Sequence, residues 1–373
     1  MSKGCVLLGM SGGVDSSTAA ILLKEQGYDV IGITMKLWES ECEEIEGGCC
    51  SISSTFDAKR VCDILDIPHY VVNLKKEFKE LVIDDFIKSY SQCRTPNPCI
   101  ECNKHLKFDI MYQKAIELGA DYIATGHYAK TEYSEKYGRY VLKKSDSIAK
   151  DQTYALYSMP KDIVDKILFP LGVFENKEEI RKKAKEAGLK VSNKPDSQEI
   201  CFIPDNDYIN FLENNDIKLA HGDVINTKGE VLGKHKGLHR YTVGQRKGIG
   251  ISNKEKLYVV KLDIDNNVLV LGTEEELYSK VLYAKDINLL LVDEIKEPMK
   301  VNSKIRYLAK ESMATIYPIE NGLIKVEFET PQRGITPGQA VVFYTIDEAI
   351  VVGGGKIWSD TFAITQRDRN FVL

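Results

Sequence analysis

The first third of the chain alternates short apolar runs with stretches of helical periodicity. Four of these runs predict strands: CVLLGM, YDVIGITM, HYVVNL and DYIATG. Parallel strands need a long crossover connection between them, and helices commonly supply it. The alternation therefore predicts a doubly wound parallel sheet that is covered by helices on both faces.

The character of the sequence changes twice after this region. Residues 150–205 are mainly helical in pattern: Asn176 is a predicted N-cap, Glu179 follows three residues later, and Gly188 marks the end of that helix. From residue 206 onward, alternating β runs surround Gly and Asn turns. We expect three domains: an α/β domain with a helical extension at 1–205, a small β-rich domain at 206–275 and a C-terminal antiparallel β-barrel at 276–373.

Composition restricts the class of protein. The chain has 373 residues and a net charge of −5, so nucleic-acid binding would have to use local basic patches. No apolar run reaches the roughly 18–20 residues of a membrane helix, and the N-terminus lacks the features of a signal peptide, which predicts a cytosolic protein. The nine cysteines favour metal binding or thiol chemistry over a disulfide scaffold, because their number is odd and the chain is long.

A glycine-rich turn, LLGMSGGVDSS, follows the first predicted strand and opens the first helix. Gly9, Gly12 and Gly13 let the backbone turn tightly and approach an anion, and the helix N-terminus favours phosphate there. The sequence lacks the G-K-[ST] ending of a Walker loop and the spacing of the dinucleotide fingerprint. Asp15 and Ser16 stand instead where a clamp lysine would be, which predicts Mg²⁺ held against a leaving pyrophosphate. A plain strand-turn-helix junction is the alternative.

The S-G-G-x-D-S pattern resembles the signature of the PP-loop ATP pyrophosphatases, which cleave ATP between its α- and β-phosphates and adenylate a carbonyl oxygen. With six further stretches it closely resembles the tRNA-specific 2-thiouridylase family, from residue 6 to about 356. The six stretches are TPNPCIECNKHLKFD (95–109), ADYIATGHYA (120–129), KDQTYALY (150–157), KPDSQEICFIP (194–204), HRYTVGQRKGIGI (239–251) and PQRGITPGQAVVFY (331–344).

The resemblance implies ATP-dependent replacement of the 2-oxygen of the tRNA wobble uridine by sulfur, with ATP, Mg²⁺ and an upstream sulfur donor. That donor would be a cysteine desulfurase, a sulfur relay protein or free sulfide. ATP phosphates would be bound by Gly9, Met10, Ser11, Gly12, Gly13, Val14, Asp15 and Ser16, and the adenine side would be bounded by Met35 and Gly126. The catalytic residues would be Asp15, Cys102 and Cys201. Contacts to tRNA or its target base would come from Asn97, Cys99, His127, Lys150, Asp151, Gln152, Arg306, Tyr307 and Gln339.

Each implied role has an ordinary structural alternative. His127 could equally be a histidine at a strand end whose hydrogen bonds are made within the protein. Lys150 and Arg306 could equally be solvated surface charges. Met35 on an apolar strand is equally typical of a core residue, and Cys201 within EICFIP of a buried thiol.

The cysteines depart from the family pattern. Many members read N-P-D where this chain has NPC, so Cys99 replaces an acid by a thiol. The family is described with two mechanisms, a Cys201 persulfide released by Cys102, or a 4Fe–4S cluster on three protein ligands. Three thiolates, from Cys99, Cys102 and Cys201, favour the cluster over a bare dithiol, with zinc third. Three more cysteines, Cys42, Cys49 and Cys50, have no assigned role.

A basic strip gives separate support for RNA binding. No acidic residue occurs between Glu230 and Glu255. The strip contains Lys234, Lys236, Arg240, Arg246, Lys247 and Lys254, interleaved with His235, His239 and Tyr241. Such a strip can neutralise phosphates, although a solvated β face has the same composition. The competing functions are an amide- or thio-ligase of the same superfamily and a non-catalytic tRNA-binding protein.

Overall fold

The computed structural model describes residues 2–38, 52–193 and 200–360. The chain forms two compact units. The first contains Met1–Ile83, Pro98–Asn206 and Glu348–Val351, and the second contains Asp84–Asn97, Asp207–Asp347 and Val352–Leu373. Cys42, Cys49 and Cys50 lie outside the described residues. None of the helices among the described residues is long and apolar enough to span a membrane.

The first unit is built on a parallel sheet. Its strands, with one hairpin, are β1 (Cys5–Gly9), β2 (Asp29–Lys36), β3 (His69–Asn73), β4 (Tyr122–Ala124), β5 (Ala129–Ser134), β6 (Arg139–Lys144) and β7 (Ile167–Leu168). The five-stranded sheet has the order β3-β2-β1-β4-β7 and every pair in it is parallel, whereas β5 and β6 form a separate antiparallel hairpin. The predicted doubly wound sheet is confirmed. The hairpin and the short strand β7 were not predicted.

Helices lie between and after these strands. They are α1 (Val14–Glu25), α2 (Ile52–Ile64), α3 (Lys75–Phe78), α4 (Asp84–Ser91), α5 (Pro98–Glu101), α6 (Met111–Glu117) and α7 (Lys177–Glu186), of which α4 belongs to the second unit. Two π-helical stretches, Lys79–Ile83 and Cys102–Ile110, join α3 to α4 and α5 to α6. Such wide turns inside helices are frequent at functional sites. Short 3₁₀ turns cover Thr153–Ala155, Lys161–Lys166 and Lys190–Asn193.

The central strand β1 determines where the ligand-binding edge of the sheet lies. Val6, Leu7 and Leu8 of β1 are fully buried, as expected for a strand covered on both faces. β1 pairs with β2 on one side and with β4 on the other, so the chain reverses its direction of travel across the sheet at this strand. Open α/β sheets bind ligands at the carboxyl ends of the strands where this reversal occurs. The glycine-rich turn after β1 and the turn after β4 both lie at this edge.

The second unit contains α4, α8 (Tyr208–Asn214) and a small mixed sheet. Its strands are β8 (Gly222–Asn226), β9 (Val231–His235), β10 (Tyr258–Asp263) and β11 (Val268–Gly272), in the order β10-β11-β8-β9. The sequence predicts a β-rich domain here without specifying its strand pairing, and in the structure β8 and β11 are parallel. They are far enough apart in the chain for a crossover through β9 and β10, which a hairpin could not provide.

The remaining strands of the second unit form a closed antiparallel barrel. They are β12 (Tyr278–Leu289), β13 (Met299–Lys304), β14 (Ser312–Pro318), β15 (Ile324–Arg333), β16 (Ala340–Tyr344) and β17 (Val351–Asp360), in the order β12-β15-β14-β13-β16-β17. Alternate residues of β14 and β15 are buried, such as Ala314, Ile316, Val326 and Phe328. Closure satisfies the backbone groups that an edge strand would expose. The predicted C-terminal barrel is confirmed, whereas the domain boundaries at 205 and 275 stay a prediction.

Candidate active site

Serine hydroxyls close the glycine-rich turn. Ser16 Oγ accepts a hydrogen bond from the Ser11 N–H (3.2 Å) and donates one to the carbonyl of Gly13 (3.2 Å). Ser17 Oγ donates to the same carbonyl at 2.8 Å. The N-cap of α1 is Gly13, so no cap side chain accepts from the first N–H groups of the helix. Those N–H groups, together with the helix dipole, make this turn a site for an anion such as phosphate.

Two positions near the turn require glycine because other backbone atoms lie very close to them. Gly12 has φ +69°, and a Cβ added there would lie 2.2 Å from the carbonyl oxygen of Ser54. Gly126, in the turn after β4, would place a Cβ 2.7 Å from the backbone nitrogen of Ser16. Both distances are far below van der Waals contact, so any other residue would force the backbones apart. The structure thus brings Gly12, Gly126 and Ser16, all named from sequence, to one place.

Asp15 occupies the first turn of α1 and holds two partners. Tyr128 Oη donates to Asp15 Oδ1 at 2.9 Å, and Lys177 Nζ donates to Asp15 Oδ2 at 2.9 Å. Lys177 comes from α7 and is distant in sequence, so only the fold reveals this pair. Sequence reasoning missed both partners, although Tyr128 stands inside the ADYIATGHYA motif.

Asp15 is the candidate ligand for Mg²⁺ at the glycine-rich turn. Among residues 2–38, 52–193 and 200–360, no three His, Cys, Asp or Glu side chains are placed to hold a metal ion. Mg²⁺ usually binds one or two protein carboxylates together with substrate phosphates and water. The single carboxylate of Asp15 beside an anion-binding turn fits that mode.

The KDQ segment is tied to the same turn through Tyr128. Gln152 Oε1 accepts from the Tyr128 N–H at 2.9 Å, and the Gln152 N–H donates to the Tyr128 carbonyl at 2.9 Å. Asp151 is 6% exposed and accepts from the Ser145 N–H and from Thr153 Oγ1. The side chains of Asp151 and Gln152 therefore shape this loop, while Lys150 beside them is partly exposed.

His127 follows Gly126 and lies among aromatic rings. Its ring centroid is 6.3 Å from that of Phe108 and 6.4 Å from that of Phe169, and its Nδ1 lies 2.7 Å from Thr125 Oγ1. Burial, and to a smaller extent the nearby Lys107 charge, lower the pKa of His127 well below its ordinary value of 6.5. The imidazole is therefore neutral at pH 7 and can hydrogen-bond a nucleobase without carrying charge.

Met35 lies near the carboxyl end of β2 and is partly buried. The preceding Thr34 connects this strand end to the glycine-rich turn, because Thr34 Oγ1 donates to the Met10 carbonyl at 2.9 Å. The Met10 N–H in turn donates to the Ile33 carbonyl at 2.8 Å. Thr34 is a further residue that sequence reasoning missed, since nothing in its local pattern distinguishes it from a core strand residue.

The three candidate cysteines differ in exposure. Cys99 lies in α5 and is exposed, Cys102 begins the second π-helical stretch and is buried, and Cys201 lies in a turn with intermediate exposure. None of the six described cysteines is in a disulfide. Cys99 and Cys102 are three residues apart on one helical stretch, but the described residues contain no cluster of three ligands that includes them. The assignment of Cys99, Cys102 and Cys201 as cluster ligands stays a prediction.

The chain is similar to known proteins along nearly its whole length. The chain is 55% identical over 361 residues to the tRNA-specific 2-thiouridylase MnmA of Acetivibrio thermocellus, an alignment that covers 96% of this chain and 100% of the relative. This chain belongs to the tRNA-specific 2-thiouridylase family. Its similarity to the MnmA proteins of Clostridioides difficile (54%, covering 94% of this chain and 97% of the relative) and Clostridium perfringens (53%, covering 96% and 99%) agrees.

Three family descriptions match consecutive parts of this 2-thiouridylase family member. They are a tRNA methyl transferase HUP domain at 4–205, a tRNA methyl transferase PRC-barrel domain at 209–273 and an aminomethyltransferase beta-barrel domain at 279–357. Among solved structures, a 4-thiouridine synthetase–RNA complex with bound ATP is 22% identical with a TM-score of 0.34, covering 57% of this chain and 50% of the other. That TM-score is too low to bear on function.

Four residues that the 2-thiouridylase resemblance assigns to tRNA lie in the second unit. Gln339 Nε2 donates to the carbonyls of Thr95 (2.9 Å) and Pro96 (3.2 Å), immediately before Asn97. Arg306 donates to the Arg333 carbonyl at 2.6 Å. Tyr307 is 39% exposed, and the Lys304 ammonium lies 5.5 Å from its ring centroid. Of these, the Tyr307 ring has the surface exposure that base stacking needs.

The basic strip of this family member is smaller than its sequence implies. His235, His239 and Tyr241 are buried, Arg240 pairs with Glu213, and Lys234 pairs with Asp223. Arg246 and Lys254 do share one cleft, of about 320 Å³, to which Lys256 also contributes. Phosphate contacts by the strip are therefore expected at this cleft and at the exposed Lys236 and Lys247.

Proposed function

We propose that this protein catalyses ATP-dependent 2-thiolation of the wobble uridine in the anticodon stem-loop of tRNA. The observation that carries the proposal is the glycine-rich turn with Asp15 at the sheet's switch point. It occurs in a chain 55% identical over 96% of its length to a relative named for this activity. The uridine O2 attacks the α-phosphorus of ATP, the bond to the bridging oxygen breaks, and pyrophosphate leaves with that electron pair.

The first unit supplies the ATP-binding residues in this proposal. The phosphates are bound by the turn Gly9, Met10, Ser11, Gly12, Gly13, Val14, Asp15 and Ser16, with Met35 and Gly126 on the adenine side. Asp15 would hold Mg²⁺, which supplies charge neutralisation on the phosphates when bound. His127, as a neutral imidazole, orients the target base, and the loop of Lys150, Asp151 and Gln152 contacts the tRNA near it. Asn97, Cys99, Arg306, Tyr307 and Gln339 complete the tRNA contacts.

Two cysteines carry the sulfur step in this proposal. A sulfur donor loads Cys201 as a persulfide, whose terminal sulfur attacks the adenylated C2 and displaces AMP. The Cys102 thiolate then attacks the Cys201 sulfur, which releases the 2-thiouridine and leaves a Cys102–Cys201 disulfide for later reduction. A 4Fe–4S cluster on Cys99, Cys102 and Cys201 is the alternative sulfur route.

The test is incubation of unmodified tRNA with the protein, ATP, Mg²⁺ and a persulfide donor, followed by mass analysis of the nucleosides. We expect 2-thiouridine together with AMP and pyrophosphate. ADP as the product would contradict the PP-loop chemistry. Addition of a methyl donor provides a second comparison, because a methylated nucleoside would instead support the methyl transfer that two of the domain descriptions name.

Cys99→Ser separates the two sulfur routes. Under the persulfide route this variant keeps its thiolation rate, whereas Cys102→Ser and Cys201→Ser lose it. If a cluster carries the sulfur, Cys99→Ser loses activity as well, and wild-type protein purified without oxygen contains iron. The assay is performed anaerobically after iron–sulfur reconstitution, so that oxidation cannot produce the loss.

A further inference from the structure

Lys177 occupies an unusual position for a lysine. It is the first residue of α7, where the helix dipole is unfavourable to a cation, and its side chain is only 12% exposed. A largely desolvated ammonium group is costly unless an anion lies beside it. The following two residues, Glu178 and Glu179, are acidic, as is typical of a first helical turn, whereas Lys177 carries the opposite charge.

Helix packing places this ammonium beside the glycine-rich turn. Ile180 and Ala184 of α7 belong to the same apolar core as Ala19 and Leu23 of α1. Thr18 Oγ1 of α1 also donates to the Ile180 carbonyl at 3.3 Å. The first turn of α7 is thereby fixed against the helix that begins at the turn, and the Lys177 ammonium lies 2.9 Å from Asp15 Oδ2.

Asp15 alone would disfavour a polyphosphate. A carboxylate in the first turn of α1 repels the negative charge of ATP, and its other oxygen is already held by Tyr128. Tyr128 is neutral, so it orients Asp15 without cancelling its charge. Lys177 is the cation that the structure places on this carboxylate, and it offsets the repulsion where the anion-binding N–H groups begin.

We propose that Lys177 contacts the β- and γ-phosphates of ATP and the pyrophosphate product, and so is a catalytic residue of the reaction proposed above. During uridine adenylation the electron pair of the breaking P–O bond moves onto pyrophosphate, and the Lys177 ammonium neutralises that charge while keeping its own proton. The inference rests on the proposed function, because it needs ATP cleavage between the α- and β-phosphates.

The experiment compares Lys177→Met, Lys177→Arg and the control Lys182→Met. Lys182 lies on the same helix with a side chain 77% exposed, so its replacement removes one charge without touching the turn. Binding of ATP, pyrophosphate and AMP is measured in metal-free buffer by equilibrium competition, and pyrophosphate release is measured with Mg²⁺ and tRNA.

Lys177→Met should weaken binding of ATP and pyrophosphate by about 10- to 100-fold, the range for a charge-assisted hydrogen bond, and leave AMP within about two-fold. Lys177→Arg should recover part of the loss, and Lys182→Met should equal wild type. Equal losses for AMP and ATP, or no loss in any ligand, would overturn the inference.

A double variant distinguishes phosphate contact by Lys177 from a purely structural role and avoids leaving an unpaired charge that could cause misfolding. Asp15→Asn with Lys177→Met removes both charges, so no unpaired charge stays buried. If Lys177 serves only to balance Asp15, the double variant binds pyrophosphate as tightly as Asp15→Asn alone, and the inference fails. If Lys177 contacts phosphate, the double variant binds it about 10-fold more weakly than Asp15→Asn.

The proposed function fails separately from this inference. Wild-type protein that releases ADP, or that leaves tRNA without sulfur, contradicts the function whatever Lys177 does. Wild-type protein that forms AMP and 2-thiouridine while Lys177→Met retains wild-type binding contradicts the inference alone.

Discussion

The glycine-rich turn and the cysteine-bearing segments are organised differently. The turn is closed by backbone and hydroxyl hydrogen bonds, and it requires glycine at positions 12 and 126 because an added Cβ would lie only 2.2 and 2.7 Å from other backbone atoms. The cysteines lie on two separate segments with three different degrees of exposure. The turn itself is one continuous strand-turn-helix segment, although distant residues such as Gly126 pack against it, whereas the cysteines come from segments about 100 residues apart in sequence.

Under the proposed function, this difference indicates that the two halves of the reaction need different degrees of preorganisation. An anion site works only if its N–H groups already point at the phosphate, so it is built into the backbone. In the proposed sulfur step, the Cys201 sulfur is approached first by the donor and then by Cys102, so we expect its surroundings to be less rigid than the turn. Perturbing each half separately tests the comparison.

The largest effect is expected from the cysteines. Cys102→Ser and Cys201→Ser should each lower the thiolation rate by about 1,000-fold or more, because a hydroxyl neither carries nor releases the sulfur. ATP affinity should stay within about two-fold of wild type, because the turn contains neither residue. Rates come from 2-thiouridine formation and affinities from equilibrium dialysis. A large loss of ATP binding in either variant would show that the two halves are not independent.

The next effect concerns the turn itself. Gly12→Ala should weaken ATP binding by about 100-fold and lower the free energy of unfolding by about 2–4 kcal/mol, since its Cβ would meet the Ser54 carbonyl. Gly27→Ala is the matched control, because Gly27 also has positive φ (+89°) but nothing lies within 4 Å of its Cβ position. It should cost about 1 kcal/mol and leave ATP binding unchanged. Equal ATP affinity in both variants would remove the close-approach argument.

A smaller effect is expected in the C-terminal barrel unit. Tyr307→Ala should weaken tRNA binding by about 10-fold through the loss of one stacking surface, without changing ATP affinity. The control is Leu308→Ala, because Leu308 is the neighbouring residue and is 92% exposed. This variant should bind tRNA as wild type does. Filter binding at fixed salt measures both. Equal tRNA affinity in Tyr307→Ala and wild type would exclude the ring from the tRNA interface.

The smallest effect is a pH dependence of stability from His127. Because its pKa is lowered in the folded state, the unfolded chain takes up a proton that the folded chain does not, so stability falls as the pH drops below 6.5 and is constant above it. The loss should be about 1 kcal/mol for one pH unit below that value. Denaturant unfolding of His127→Gln should show a smaller loss on the acid side, whereas the exposed His221→Gln should match wild type. Identical acid-side losses in all three would contradict the burial argument.

Several structural features could be predicted because they depend on neighbouring residues. The Asn176 cap is one: Asn176 Oδ1 accepts from the Glu179 N–H at 3.1 Å, and Gly188 has φ +74°, as the pattern predicts. The parallel pairing of β8 with β11 could not be predicted, because alternation describes which face a residue occupies and not which strand lies beside it. The hydrogen bonds that Asp151, an implied tRNA contact, accepts from Ser145 and Thr153 could not be predicted from the sequence either.

The sequence by itself determined the alternating strands and helices, the anion-binding turn and the cysteines, since each depends on residue type and short-range spacing. Only the tertiary structure decided which distant groups meet that turn: Lys177 and Tyr128 on Asp15, Gly126 against Ser16, and Thr34 on Met10. The physical reason is the order of the strands in the sheet. Pairing β1 with both β2 and β4 gathers the ends of segments that lie far apart in the chain, and no local propensity encodes that arrangement.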